Sequence, residues 1–154
     1  MTMLHKDRNT EYSLGDLLAI PVVGGMKIFA GSLICSKPDG FALPAGDEEG
    51  LVFEGVAAEE CDNRHGADGD DQVIVRRRGR YRFDCETPLD QSAMSAVVHI
   101  RDDHTVVADE SIQYGIVCGV IDKVAGDHDC WISIDMAVLQ GRRFQAPENG
   151  QADR

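Results

Sequence analysis

The sequence predicts an all-β protein: a small β-barrel or β-sandwich of about eight or nine short strands, preceded by an extended N-terminal arm. Three observations carry this. No window of a dozen residues keeps a helical period, β-rich runs of about 4 to 10 residues recur at short spacing, and glycine-containing turns separate them.

Taken in order, residues 1–16 are polar and have no core of their own, which reads as an arm. Leu17 to Val23 is apolar but contains Pro21, a residue that donates nothing to a ladder and so confines a strand to a sheet edge or breaks it at that point. Met26 to Cys35 is the next strand, closed by Ser36-Lys37-Pro38-Asp39-Gly40. There Pro38 presets the turn, Asp39 caps it and Gly40 supplies positive φ, the clearest hairpin signal in the chain. Phe41 to Ala45 is the return strand, and Leu51 to Ala58 the strand after it. Glu59 to Asp71 is an acidic loop that feeds the run Asp62 to Cys85.

In alternation, Val73, Val75, Arg77, Gly79, Tyr81, Phe83 and Cys85 point one way from that strand; Ile74, Arg76, Arg78, Arg80, Arg82 and Asp84 point the other. One face is core and the other cationic. Glu86 to Ala96 is a loop with at most one helical turn. Ala96 to Arg101 and Thr105 to Ala108 form a second hairpin, followed by strands over Tyr114 to Val124 and Cys130 to Met136. Residues 17–138 make a single β domain, and 139–154 a polar, flexible tail.

The chain has 154 residues, 43% hydrophobic, a formal charge of −12 and a pI near 4.6. That length supports one domain with a real core. Such an acidic chain is a poor candidate for nucleic acid, whose phosphates need cationic surface. The charge is sorted: Asp47, Glu48, Glu49, Glu54, Glu59, Glu60, Asp62, Asp68, Asp70 and Asp71 share one segment with Arg64 as its basic residue, and five arginines follow between Arg76 and Arg82. The plain reading is a solvated acidic loop beside a salt-bridged strand. The sharper reading is a protein contact, because guanidinium forks suit carboxylate-rich partners.

The histidines fall in or beside arm, loop and turn regions, with no nucleophile in a recognisable motif. The acidic loop could offer oxygens to calcium but departs from the EF-hand pattern, and Gly66 and Gly69 more simply permit a tight loop. Cys35, Cys61, Cys85, Cys118 and Cys130 form no CxxC pair and match no disulfide framework or zinc spacing, so they read as reduced, strand-borne small hydrophobes. No metal, cofactor or catalytic residue is expected. The N-terminus lacks a signal-peptide core, and no apolar run reaches the ~20 residues of a spanning helix, so a soluble, cytoplasmically synthesised protein is expected.

The stretches DRNT (Asp7 to Thr10), GDLLAIPVVGGMKIFAGSLI (from Gly15), DG at Asp39, GLVFEGVAAEECDN (from Gly50), GADGDDQVIVRRRGRYRF (from Gly66) and DCWISID near the end together resemble the capsid decoration, or cement, proteins of tailed bacteriophages. The resemblance covers nearly the whole of Asp7 to Asp135. It rests on turns and strands rather than on catalytic residues.

This resemblance implies a non-enzymatic structural virion protein on the outer surface of the assembled head, binding contacts between major capsid subunits. It also implies self-association, as a trimer in preference to a dimer. A phage tail, baseplate or head-fibre base component is the alternative. The expected contact residues are Leu4, Asp7, Arg8, Asn9, Thr10, Tyr12 and Leu14 in the arm, with Arg76, Arg78, Arg80 and Arg82 on the strand. The five cysteines and the polar tail depart from the family pattern. Their odd number prompts one more expectation, an intersubunit disulfide drawn from Cys35, Cys61, Cys85, Cys118 or Cys130 once the particle meets oxidising surroundings.

Overall fold

A computed structural model describes residues 2–139; the tail expected beyond Leu139 lies outside the described residues. The chain is almost entirely β. Its strands are β1 (Leu17–Pro21), β2 (Met26–Ile28), β3 (Leu33–Ser36), β4 (Ala42–Pro44), β5 (Val52–Ala57), β6 (Cys61–Asn63), β7 (Gln72–Arg76), β8 (Arg80–Cys85), β9 (Val97–Ile100), β10 (Thr105–Val107), β11 (Val117–Gly126) and β12 (Asp129–Ser133). One 3-10 turn, Gln91–Ala93, fills the loop before β9, and a short helix α1, Asp135–Leu139, follows β12.

The strands form two main bodies. An open sheet has the order β1-β7-β5-β3-β4, and β10-β8-β12-β11-β9 close into a five-stranded barrel; β2 and β6 pair as a small ribbon. The Pro38-Asp39-Gly40 turn joins β3 to β4 as its sequence predicts: Gly40 has φ +92 and Asp39 Oδ1 accepts from the Phe41 N–H at 3.2 Å. The second hairpin, β9 to β10, also forms. Pro21 sits on β1, which lies at the edge of the open sheet.

Among the described residues twelve strands stand where eight or nine are expected, because glycines interrupt two runs and one strand hides in the acidic loop. Gly31, at φ +86, separates β2 from β3, and β6 runs Cys61–Asn63 inside the predicted loop. The larger correction concerns Gln72 to Cys85, which is two strands in two different bodies. β7 pairs with β1 and β5 in the open sheet, and β8 pairs with β12 and β10 in the barrel.

The chain turns between them at Gly79, whose φ of +114 is readily open to glycine alone. Asp135 Oδ1 accepts from the Gly79 N–H at 2.8 Å, the Ile134 N–H donates to Gly79 O at 3.1 Å, and the Tyr81 hydroxyl donates to Arg78 O at 2.7 Å. The expected alternation survives within each half: Val73 and Val75 are buried, as are Phe83 and Cys85, while Arg80, Arg82 and Asp84 face solvent. The arginines therefore share no single face.

Strands β3 and β5 are buried along their whole length, as a sheet covered on both faces requires. On one face Leu33, Cys35, Phe53 and Val56 join the barrel residues Phe83, Val98, Ile100, Val106, Ile121, Cys130 and Ile132 in one cluster. On the other, Ile34 and Ala57 pack with Ile20, Val22, Ile28, Val73 and Val75. Phe53 and Val56 reach the same face although three residues apart, because the register slips between Ile34↔Gly55 and Cys35↔Phe53, leaving Glu54 as a bulge. Gly55 stands there at φ +143, where a Cβ would lie 2.2 Å from Arg76 O.

Two substitutions test this junction. Phe53→Ala should cost about 3–5 kcal/mol of unfolding free energy by urea denaturation, the range for emptying a large aromatic site. Gly55→Ala should lower the melting temperature more than Gly40→Ala does, because Gly40 has open space around its Cα and Gly55 has none.

Candidate functional site

The arm is exposed along its length, with Tyr12 85% accessible and Met3, Leu4 and Leu14 similarly open. Its internal bonds are slight: Thr10 N–H donates to Arg8 O at 2.9 Å, and Arg8 Nη1 donates to Thr10 Oγ1 at 3.4 Å. Asp7 and Asn9 are exposed beside them. Apolar side chains at this exposure gain nothing from the fold that carries them.

The arm runs into β1, where Leu17 and Leu18 are 55% and 41% accessible. Leu17 pairs across the ladder with Arg76 at the end of β7. A recess of about 490 Å³ opens here, lined by Ser13, Gly15, Leu17, Leu18, Arg78 and Val138 among others. The structure thus brings the root of the arm, the edge strand and the first of the predicted arginines to one place.

The four arginines divide by partner. Arg80 donates Nε to Asp122 Oδ2 at 2.6 Å and Nη2 to Asp122 Oδ1 at 2.9 Å, with its guanidinium 5.4 Å from the Trp131 ring centre. Arg82 donates Nε to Asp129 at 2.9 Å and also bonds it through Nη2. These hydrogen bonds raise both guanidinium pKa values and lower those of Asp122 and Asp129. Arg76 and Arg78 are exposed, and among the described residues neither forms an ion pair. Of the four arginines, the first two are thus the ones without a carboxylate of the described residues beside them. Arg77 turns inward instead, its Nη1 3.4 Å from Glu54 Oε1, while the Ser36 hydroxyl donates to Glu54 Oε2 at 2.6 Å.

The partners Asp122 and Asp129 were not singled out by the sequence reading. The trace they leave is that Asp129 falls opposite Asp84, so Arg82 meets it across a diagonal of the β8–β12 ladder.

The acidic loop holds itself together. Asp68 Oδ1 accepts from the Gly24 N–H at 2.8 Å and Asp70 Oδ2 from the Ala67 N–H at 2.8 Å. The buried Asn63 donates Nδ2 to the carbonyls of Val22, Val23 and Ala67 at 3.0 to 3.2 Å. Gly66 is required there, since a Cβ would stand 2.2 Å from Asn63 Oδ1.

All five cysteines are free thiols and buried. The candidates named for an intersubunit disulfide thus all lie in the core of the single chain, where they pack as small hydrophobes. Cys85 and Cys130 lie on adjacent barrel strands, and a hydrogen bond between them lowers the Cys85 pKa to about 7 and raises that of Cys130. No helix among the described residues is long and apolar enough to cross a membrane.

Compared with known families and curated proteins, the chain matches no family model and no curated protein.

The exposed turn Asp102-Asp103-His104 gives a test of local electrostatics. His104 Nδ1 lies 2.9 Å from Asp103 Oδ1 and 3.2 Å from Asp102 Oδ1, and the hydrogen bond to Asp103 raises its pKa. A raised folded pKa means the pair stabilises the turn fully below about pH 6.5 and is lost as pH rises through the folded value. By NMR titration His104 should show a midpoint above the usual histidine value, and Asp103→Asn should move it down.

Proposed function

We propose that this chain is a structural virion protein of the decoration type, binding the outer surface of an assembled phage head and stabilising contacts between major capsid subunits. The observation that supports this reading best is the division of the surface. The β8 arginines Arg80 and Arg82 are neutralised internally, while the arm, Leu17, Leu18, Arg76 and Arg78 stay exposed at one location. A contact surface built this way recognises a partner and transforms nothing.

The arm supplies reach. Ordering it costs roughly 1–2 kcal/mol per residue of backbone entropy, which contacts from Leu4, Tyr12 and Leu14 must offset. The two exposed guanidiniums supply a preference for carboxylates on the shell. Many copies on a closed surface convert modest individual affinity into large total stabilisation.

The resemblance implies a partner among the head proteins, so the probe is expanded heads assembled from a tailed-phage major capsid protein. Deleting residues 2–14 should leave the melting temperature of the β domain unchanged and weaken head binding at least tenfold, about 1.4 kcal/mol. Arg76→Glu with Arg78→Glu should weaken it similarly. Undiminished binding by the armless chain, or decorated heads no more heat-resistant than bare ones, would contradict the proposal. Labelling confined to the tail or baseplate of intact virions would move the protein there instead.

A further inference from the structure

Two of the five thiols meet inside the barrel. Cys130 stands opposite Phe83 in the β8–β12 ladder, and the Cys85 N–H donates to His128 O at 2.9 Å, so the register sets Cys85 and Cys130 diagonally on one face of the paired strands. Both side chains point into the core, with Cys85 2% and Cys130 0% accessible, and their sulfurs are hydrogen-bonded to each other.

The surroundings of the two sulfurs differ. Cys85 is the last residue of β8, and its sulfur receives hydrogen bonds from Cys130, from the N–H and hydroxyl of Thr87 and from the Ala108 N–H. The Thr87 oxygen itself accepts from the Ala108 N–H at 3.0 Å, so the hydroxyl hydrogen is the part of Thr87 that faces the sulfur. Donors on these sides favour an anion, and they bring the Cys85 pKa down to about 7 against the burial that opposes them. Burial pushes the Cys61 and Cys118 thiols the other way, and Cys118 Sγ gives its hydrogen to Val98 O at 3.8 Å. Access suits a small reagent. Strand β10 covers Cys85 through a pairing of two residues, Thr105↔Asp84 and Val106↔Cys85, and short seams are where a barrel opens locally.

We propose that Cys85 is an oxidative modification site: a hydroperoxide converts it to a sulfenic acid, and Cys130 resolves this to a disulfide within the same chain. In the first step the Cys85 thiolate attacks one peroxide oxygen and the O–O bond breaks. The other oxygen leaves as an alcohol, or as water from hydrogen peroxide, with the proton the thiol gave up. The Cys130 sulfur then attacks the Cys85 sulfur, the S–O bond breaks, and hydroxide leaves as water with the Cys130 proton. The two sulfurs together lose two electrons and the peroxide gains them.

The Cys130 thiol is held protonated chiefly by the hydrogen bond to the Cys85 sulfur, a hold that ends once Cys85 has lost its charge. A diagonal pair stands farther apart than a disulfide prefers, so the link closes with strain and opens readily to a dithiol. That makes it a reversible modification rather than a structural bridge. The inference needs only the barrel and stands without the shell-binding role.

Reduced full-length chain exposed to hydrogen peroxide, followed by intact mass and tryptic mapping, tests it. The product should weigh two hydrogens less than the reduced chain, carry peptides 83–101 and 124–142 joined through Cys85 and Cys130, and regain five free thiols in dithiothreitol. Cys130→Ser should stop at a Cys85 sulfenic acid that dimedone captures. Cys85→Ser should give no link at the same dose, and Cys118→Ser should give the wild-type link. In the wild type the oxidation rate should rise as pH passes through about 7 and the thiolate forms, and iodoacetamide should alkylate Cys85 about tenfold faster than Cys118. These wild-type readouts stand whether or not the serine variants fold. Five thiols left intact by peroxide, a link that uses another cysteine or joins two chains, or a Cys118 that reacts as fast as Cys85 overturns the inference.

Discussion

The structure depends on the burial of β3 and β5 on both faces. One face of these strands is shared with the barrel through Leu33, Cys35, Phe53 and Val56, and the other closes over Ile20, Val22, Val73 and Val75. A strand of regular period would send Phe53 and Val56 to opposite sides; the bulge at Glu54 and Gly55 sends both to the barrel. The bulge has a polar consequence, because it holds the Glu54 carboxylate inside, where the Ser36 hydroxyl and the Arg77 guanidinium meet it. A buried carboxylate is tolerable only when so paired. Sheet and barrel are therefore joined by apolar packing, while the ionic contact ties β3 and β5 to the end of β7 within the open sheet.

That junction determines which cations reach the surface. Arg77 is drawn inward by Glu54, and Arg80 and Arg82 lie on the barrel strand within reach of Asp122 and Asp129. Arg76 and Arg78 fall at the bend between the two bodies, beside Leu17, Leu18 and the root of the arm. Exposed ion pairs such as those of Arg80 and Arg82 contribute little to stability. Their effect here is to remove two charges from the surface that a partner would see.

Features set by neighbours in sequence were legible. The Pro38-Asp39-Gly40 turn carries its own chemistry, and Pro21 assigns β1 to an edge because a missing N–H cannot serve a central strand. The break at Gly79 was not legible. Apolar and polar residues alternate straight through it, so the period of a single strand fits both halves, and only the separate pairing of β7 and β8 divides them. Strand β6 was hidden for a related reason: Cys61, Asp62 and Asn63 look like loop residues and are held by backbone pairing to β2. The exposed arm was read correctly from its lack of any apolar period, whereas the neutralisation of Arg80 and Arg82 needs carboxylates more than 40 residues away.

The most direct measurement is amide hydrogen exchange of the full chain, free and bound to expanded heads. Protection that rises over residues 2–19 and around Arg76 and Arg78, with β8 and β12 unchanged, is the result predicted if the arm and edge carry the contact. An arm that exchanges equally fast in both states, with new protection on the Arg80 and Arg82 face of the barrel, would contradict it.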